Sequence, residues 1–455
     1  MNRQKNSLTE GNIVKGLLIF AFPILIGNIF QQLYNVVDTA IIGNVLGDRA
    51  LAAIGATSAL YMLVIGFANG ITNGFSVVLA RAYGENDEDK IKETVSLIYV
   101  LTLGLSLVLT LLSVFGLHGV LVTLKTPSNI INETEAYLRM IFTFSTVTML
   151  FNMFSSILRA VGDSRTPLYF LVVASLLNVG LDIIFVKVFE MGIRGAAIAT
   201  IIAQVISVAL CIIYVWVKCP MLGFHAKSLR WNKELFGDLV LTGFSMGLML
   251  VVVSIGSVAL QSAVNSLGEH IIAAHTAARK LDDIFMLPLG TLATASATFA
   301  SQNLGAKKYD RIHKGIKAAM MLAIGWSVIS VAGVFVFGRP MVKLLTGSED
   351  YIIIENAIMY MKINIIFFFV LSVLLILRSS LQGVGRKLVP VMGSVVELVF
   401  KFGAVNIISD KLGYFGVCIL EPIIWIICGG IVFLDFIVFQ KKLRNIHSKK
   451  ATVMI

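Results

Sequence analysis

Two aspartates lie inside stretches that are otherwise apolar enough to span a membrane. Asp38 falls in the first such stretch, and Asp182 follows Asn178 by four residues in the fifth. A carboxylate at the centre of a bilayer costs about 2.5–3.5 kcal/mol even on insertion scales, so it normally faces a cavity or a partner. With the Asn178 amide and the hydroxyl of Thr200 on the sixth stretch, these carboxylates offer the oxygen ligands that a small cation or a proton uses.

Two carboxylates in one pocket of low dielectric constant cannot both stay charged unless a cation joins them. Either Na⁺ lies between Asp38 and Asp182, with amide, hydroxyl and carbonyl oxygens around it, or one carboxyl holds a proton. The residues leave both alternatives open. A cationic substrate that competes for the same carboxylates would be expelled when the ion enters. The structural alternative is that both aspartates only hydrogen-bond to neighbouring helices.

Other polar and polarizable side chains in the apolar stretches predict a substrate cavity. Asn28, Gln31, Asn35 and Asp38 recur on one helical face, and a polar stripe on a membrane helix must look inward. Pro23 precedes this stripe and is predicted to act as a hinge. The predicted cavity residues are Gln31, Tyr34, Asn35, Asn69, Asn73, Asn152, Met246, Met286 and Asp282. For the methionines, plain lipid or helix packing is the alternative.

Composition assigns these stretches to a polytopic membrane protein. The 455 residues are 57% hydrophobic and 14% charged, with a mean hydropathy of +0.88, whereas soluble proteins carry about a quarter charged residues. We predict an all-α membrane protein with twelve transmembrane helices. The predicted spans are roughly 15–37, 51–80, 95–118, 136–158, 167–188, 193–217, 235–262, 270–300, 315–338, 356–378, 389–409 and 413–438.

The distribution of Lys and Arg predicts the orientation. The N-terminus, the even-numbered loops and the C-terminal tail carry 25 of them, and the odd-numbered loops carry 7. This bias places both termini in the cytoplasm of a bacterial cell, with the chain in the cytoplasmic membrane. It also accounts for the net charge of +11 without a nucleic-acid partner. The basic tail is predicted to contact anionic lipid.

A repeat divides the chain into halves. Leu46-Gly47-x4-Ala52-Ala53 returns 221 residues later as Leu267-Gly268-x4-Ala273-Ala274. We therefore predict a six-helix N-terminal lobe (1–217), a cytoplasmic linker (218–234) and a six-helix C-terminal lobe with a basic tail (235–455). Six spans per half keep both bundles in one orientation, which makes a parallel pseudo-symmetric repeat. Such folds place the substrate path between the halves and rock one half against the other.

The C-terminal half lacks the acidic site. At repeat offsets of 223 and 221 residues, Lys401 replaces Asn178 and Glu421 replaces Thr200. Glu397, Lys401 and Glu421 form a self-neutralising set, which favours a structural role, although a role in coupling stays open. Spacing also predicts that Arg279 pairs with Asp282 and Asp283 across one helical turn. In the first half, the glycines 66, 70 and 74 recur every fourth residue and predict close helix packing.

The chain resembles the multidrug and toxic compound extrusion (MATE) family over nearly its whole length. The resemblance rests on Phe22-Pro23-Ile24-Leu25, the run from Gln31 to Asp38, Gly43-x3-Gly47, Asn178-x3-Asp182 and Gln302-Asn303-Leu304-Gly305. It implies two six-helix lobes around a central cavity and efflux of organic cations driven by Na⁺ or H⁺. The cation site of the family would fall on Asp38, Asn178, Asp182 and Thr200, which would be the Na⁺ ligands in a sodium-coupled protein, with the Ala196 carbonyl as a further ligand.

The leading interpretation is thus an antiporter that exports drugs or organic cations in exchange for Na⁺ or H⁺, with no cofactor beyond the transported ion. The alternative is a flippase for a lipid-linked saccharide of the same superfamily, whose anionic head group would favour a cavity lined by Arg and Lys. An enzyme is not indicated, because the sequence holds no HExxH motif and no paired nucleophile and base. We expect a monomer in contact with membrane lipid.

Overall fold

The computed structural model describes residues 8–123, 126–127, 130–230 and 232–453. The prediction of an all-α protein is confirmed within these residues. The helices are α1 (Ile13–Leu46), α2 (Asp48–Glu85), α3 (Glu88–Thr123), α4 (Ile131–Thr143), α5 (Ser145–Ala160), α6 (Arg165–Asp182), α7 (Gly192–Lys218), α8 (Lys233–Asn265), α9 (Glu269–Gly305), α10 (Tyr309–Thr346), α11 (Tyr351–Ile366), α12 (Phe368–Gly383) and α13 (Leu388–Val453).

Most of these helices are long enough to cross a bilayer. In the described ranges, nine are apolar and long enough to do so, and two bent pairs bring the number to eleven. The eleventh predicted span, 389–409, lies in the first part of α13, where Glu397 and Lys401 lower the hydropathy. Gly413 interrupts α13 with a φ of 58°, a conformation that glycine adopts without steric cost.

Two predicted spans are broken in the middle. α4 and α5 meet at Phe144 with a bend of 50°, and α11 and α12 meet at Phe367 with a bend of 53°. These breaks occur at corresponding places in the two halves of the chain. Hydropathy cannot detect them because the residue at each break, Phe144 or Phe367, is itself apolar.

By internal packing the described chain falls into two compact units. Unit 1 contains Phe22–Val251, and unit 2 contains Leu8–Ala21 and the chain from Val252 onward. The division passes through α1 beside Pro23 and through α8. The lobe limits predicted from the repeat, 1–217 and 235–455, remain a prediction, since the packing units divide the chain at other positions.

Within unit 1, α2 and α8 approach each other through glycines. A Cβ atom placed on Gly70 would lie 2.5 Å from Gly247 Cα, and one on Gly74 would lie 2.5 Å from Gly243 Cα. Glycine permits such contact between backbones because it has no side chain. Close helix packing is thus confirmed at these two positions, whereas a Cβ on Gly66 would meet nothing within 4 Å.

In unit 2, the segment that precedes α1 is held by the turn between α9 and α10. The Arg311 guanidinium donates to the carbonyls of Leu8, Glu10 and Gly11 at 2.6–3.2 Å. Asn303 Nδ2 also donates to the Leu8 carbonyl at 3.2 Å, and the Leu8 side chain is 3% exposed. The start of α1 is therefore fixed to unit 2 by charged donors.

Arg311→Gln is expected to loosen the start of α1. The change removes a guanidinium that donates hydrogen bonds to three carbonyls. A hydrogen bond to a charged group contributes about 1.5–3 kcal/mol when it is buried, and less where solvent reaches it. Amide hydrogen exchange at residues 8–12 should accelerate. Lys314→Gln is the control because Lys314 is exposed on the same helix. Equal exchange in both variants would show that Arg311 does not hold the segment.

Candidate ion-coupling site

Three helices of unit 1 present the predicted coupling residues. α1 carries Asp38, α6 carries Asn178 and Asp182 one turn apart, and α7 carries Thr200. α6 ends at Asp182 and continues as a π-helical turn over Ile183–Val188. Such turns carry wider backbone rings than an α-helix and are frequent at functional sites.

The two carboxyl groups meet. The Asp38 and Asp182 side chains lie within hydrogen-bonding distance of each other. Asp182 is 0% exposed and Asn178 is 2% exposed. The Asn178 amide, oriented to satisfy both of its ends, donates to Asp182 Oδ2 at 2.7 Å and accepts from the Thr200 N–H at 3.1 Å and the Thr200 hydroxyl at 3.2 Å. The structure thus places Asp38, Asn178, Asp182 and Thr200 in one cluster.

One oxygen of each aspartate carboxyl accepts no hydrogen bond from the described residues. Among the described residues, no N–H or O–H group donates to the buried Oδ1 atoms of Asp38 and Asp182. Burying a carboxylate without a partner is costly, and two facing carboxylates repel each other in addition. A cation or a proton between them removes both costs. The arrangement is therefore suited to bind one small positive charge.

Ala196 lies one turn before Thr200 on α7 and is 1% exposed. In a regular helix the N–H of residue 200 points at the carbonyl of residue 196. Here that N–H also donates to the Asn178 amide oxygen. That N–H then has two acceptors, which is compatible with the predicted role of the Ala196 carbonyl as an ion ligand. That role stays a prediction.

Three tyrosines surround the pair, and the sequence analysis identified only one of them in this region. The Tyr34 hydroxyl interacts with that of Thr200, while Tyr61 on α2 and Tyr137 on α4 lie within electrostatic range of Asp38. A hydroxyl inside an apolar span needs a polar partner, and this is the signal that points to Tyr61 and Tyr137. Tyr137 also packs against the hydrophobic cluster that contains Ala196.

The predicted cavity residues of unit 1 do not share one environment. Gln31 and Asn35 are exposed, while Asn69 and Asn152 are half-buried. Asn73 Oδ1 accepts from Ser156 at 3.4 Å and from Arg159 at 3.1 Å, so its amide ties α2 to α5. The spacing of the asparagines gave no sign of Arg159.

Two of the remaining cavity predictions belong to unit 2, and one belongs to unit 1. Met246 of unit 1 and Met286 of unit 2 are half-buried. Asp282 of unit 2 is 2% exposed, and no N–H or O–H group of the described chain donates to its Oδ2 atom. Substrate binding by any of these residues stays a prediction.

The predicted pairing of Arg279 with Asp282 and Asp283 is wrong. Arg279 Nη1 instead lies 2.9 Å from Glu421 Oε2, on a helix distant in sequence. Spacing along one helix identifies possible partners on that helix only, and it cannot show that a carboxylate from α13 lies closer to Arg279.

Glu421 is the centre of an ionic cluster in unit 2. Lys401 Nζ lies 3.6 Å from Glu421 Oε1 and 3.1 Å from Glu397 Oε1, and the Tyr360 hydroxyl donates to Glu421 Oε2 at 2.8 Å. Arg378, at 3.6 Å from Glu397, extends the cluster. Each glutamate therefore has cationic partners, which agrees with a structural role and contrasts with the aspartate pair of unit 1.

Pro23 is buried in α1, close to the position where the packing of the helix changes from unit 2 to unit 1. A proline inside a helix removes one backbone hydrogen bond and permits a bend. The location is compatible with a hinge. The hinge itself stays a prediction, which unchanged transport in Pro23→Ala would contradict.

Comparison with known proteins identifies the family. The MatE family model matches residues 23–184 and again residues 245–405, in agreement with the internal repeat. A probable multidrug resistance protein of Bacillus subtilis, YpnP, is 30% identical over 90% of this chain and 91% of its own. The probable multidrug resistance protein NorM of Thermotoga maritima is 24% identical over 85% of this chain and 83% of its own.

The fold of the chain also agrees with that of solved MATE family transporters. An outward-facing multidrug resistance MATE family transporter of the MOP superfamily superposes with a TM-score of 0.90, at 22% identity, covering 97% of this chain and 98% of that one. The predicted two-lobed, all-α membrane fold is confirmed. The chain therefore belongs to the MatE family and is a multi-pass multidrug efflux transporter of the multidrug and toxic compound extrusion group.

Proposed function

We propose that this transporter exports organic cations in exchange for Na⁺ or H⁺, and that Asp38 and Asp182 form the coupling site. The observation that carries the proposal is the buried pair of carboxyls in unit 1, each with an oxygen that no donor of the described chain satisfies. In unit 2 the buried glutamates have cationic partners instead. The coupling charge is therefore assigned to unit 1.

The exchange follows from electrostatics. Without an ion, the aspartate pair attracts a cationic substrate toward α1. When Na⁺ or H⁺ enters, one of the two negative charges is neutralised and the pair draws together with Asn178 and Thr200, so the attraction for the substrate falls. The ion and the substrate then exclude each other, and each binds preferentially to a different state. A ligand can shift a conformational equilibrium only through such differential affinity.

The same residues serve either ion. For Na⁺, the Oδ1 atoms of the two aspartates, the Thr200 hydroxyl and the Ala196 carbonyl are available as oxygen ligands. For H⁺, a single proton between the two carboxyls satisfies both unpaired oxygens. In both cases we expect no cofactor other than the transported ion. The proposed substrate is a drug or another organic cation.

The excess of Lys and Arg on one side, 25 against 7, supports cytoplasmic termini in a bacterial cytoplasmic membrane. Export then corresponds to movement of the substrate away from the side that carries the tail. We expect the monomer to act alone in the lipid bilayer. The aspartate pair does not support the flippase alternative, because two carboxylates repel an anionic pyrophosphate.

Reconstituted vesicles test the function. Purified protein in liposomes should move ethidium against its gradient when an opposing Na⁺ or pH gradient is imposed, and collapse of the effective gradient should stop the movement. Testing each gradient alone identifies the ion. Absence of ethidium movement under either gradient, together with transfer of a lipid-linked saccharide between leaflets, would contradict the proposal and favour the flippase.

A further inference from the structure

A groove of about 610 Å³ lies on the surface of unit 1 between α4 and α7. Its lining is apolar apart from two cationic side chains and one hydroxyl. Its lining includes Met140, Phe144, Met191, Ile198, Arg139 and Arg194. The groove is separate from the ion-coupling cluster and rests on different residues.

On α7 the groove opens on the side that faces away from the ion cluster. Successive residues of an α-helix are rotated by about 100°, so two residues along, a side chain points to roughly the opposite side. Ile198 is two residues from both Ala196 and Thr200, and Arg139, Phe144 and Arg194 at the groove are exposed. The groove therefore faces the surroundings of the bundle, which in a membrane are lipid.

One of the two arginines gives the groove an uncompensated positive charge. Arg139 pairs with Glu135. Arg194 is exposed and has no ion-pair or hydrogen-bond partner within the described part of the chain. It lies in the first turn of α7, where long basic side chains reach the head-group region of a bilayer.

We propose that this groove binds an anionic phospholipid of the surrounding bilayer. The phosphate would lie between Arg194 and Arg139, since a guanidinium binds a phosphate with two parallel N–H groups. The acyl chains would cover Met140, Phe144 and Ile198, which are otherwise left open at the surface. A cationic drug does not fit this site, because both charges at its rim are positive.

Occupation of the groove would bear on the shape of unit 1. Phe144 is the residue at which α4 and α5 bend by 50°. Met191 donates its backbone N–H to the Phe185 carbonyl at 2.9 Å, inside the π-helical turn that follows Asp182. A lipid packed against both residues would hold the bend and the turn in one conformation.

Native mass spectrometry with phosphatidylglycerol and phosphatidylcholine tests the site. The full chain in detergent should retain phosphatidylglycerol at concentrations at which it releases phosphatidylcholine. Arg194→Gln should weaken phosphatidylglycerol binding about fivefold, from the roughly 1 kcal/mol that a basic residue contributes at an anionic surface. Because Arg194 has no partner within the described residues, the variant should keep the melting temperature of the lipid-free protein.

The double variant R139Q/R194Q should lose the preference between the two lipids, and Arg165→Gln, an exposed arginine on α6, should keep it. Equal retention of both lipids by the wild type, or unchanged preference in Arg194→Gln and the double variant, would overturn the proposal. Competition with inorganic phosphate distinguishes a lipid head group from free phosphate as the ligand of the groove. If phosphate alone displaces phosphatidylglycerol at equal concentration, the acyl chains do not contribute and the site is not a lipid site.

Discussion

Asp182→Asn should abolish ion-driven efflux while the protein remains folded. The Asp182 carboxyl is fully buried, faces Asp38 and accepts from Asn178 at 2.7 Å. An amide of the same shape keeps the packing but removes one of the two negative charges that hold the ion. We expect the ion to bind at least about tenfold more weakly, or about 1.4 kcal/mol, and ethidium efflux to fall to the level of empty vesicles.

The control for this variant is Glu190→Gln, an exposed carboxylate just beyond the π-helical turn. It should transport as the wild type does. Asp38→Asn should resemble Asp182→Asn, and the double variant should lose little more than either one, because the pair acts as a unit. Normal gradient-driven efflux in both single variants would remove the coupling function from these residues.

Gly70→Ala should be among the most destabilising single-methyl changes in unit 1. The added Cβ would lie 2.5 Å from Gly247 Cα and 2.7 Å from the Met246 carbonyl oxygen. Both neighbours are backbone atoms, so no side chain can rotate away, and α2 and α8 must separate. Overpacking costs about 1–3 kcal/mol where side chains can adjust, and we expect the upper end of that range or more here.

Thermal unfolding in detergent measures this effect. Gly74→Ala should lower the melting temperature similarly, because its Cβ would lie 2.5 Å from Gly243 Cα. Gly66→Ala is the matched control, since it belongs to the same glycine series and its Cβ would meet nothing within 4 Å. Equal melting temperatures for Gly66→Ala and Gly70→Ala would mean that α2 and α8 are not in backbone contact.

The ion cluster could be predicted from sequence because its residues break a strong rule. An aspartate in an apolar span requires a partner, and the four-residue spacing of Asn178 and Asp182 places both on one helical face. Tyr61 and Tyr137 were missed because a tyrosine in a span is common at membrane interfaces and carries no charge. Only the folded helices show that both lie beside Asp38.

Pairing between distant helices was harder to predict. Arg279 has two acids within one turn of its own helix, yet it binds Glu421 of α13. Likewise, nothing in the composition near Phe144 and Phe367 distinguishes a bent span from a straight one. Hydropathy reports burial in lipid, and it does not report which buried groups meet.

The difference between the two units has a physical consequence. The acids Glu397 and Glu421 are held by Lys401 and Arg279, so a transported cation would have to displace a fixed one. Among the described residues, Asp38 and Asp182 have no such fixed cation. If the proposed coupling holds, one half of the duplicated fold carries an exchangeable charge and the other half carries a permanent ion-pair cluster.

Competition binding tests the central claim most directly. The affinity of purified protein for ethidium should be measured by fluorescence while Na⁺ is raised at constant ionic strength, and again while the pH is lowered. We predict that one of the two ions weakens ethidium binding competitively, with a slope of one ion per substrate, and that Asp182→Asn loses this dependence. Ethidium binding that is independent of both ions in the wild type would contradict the account.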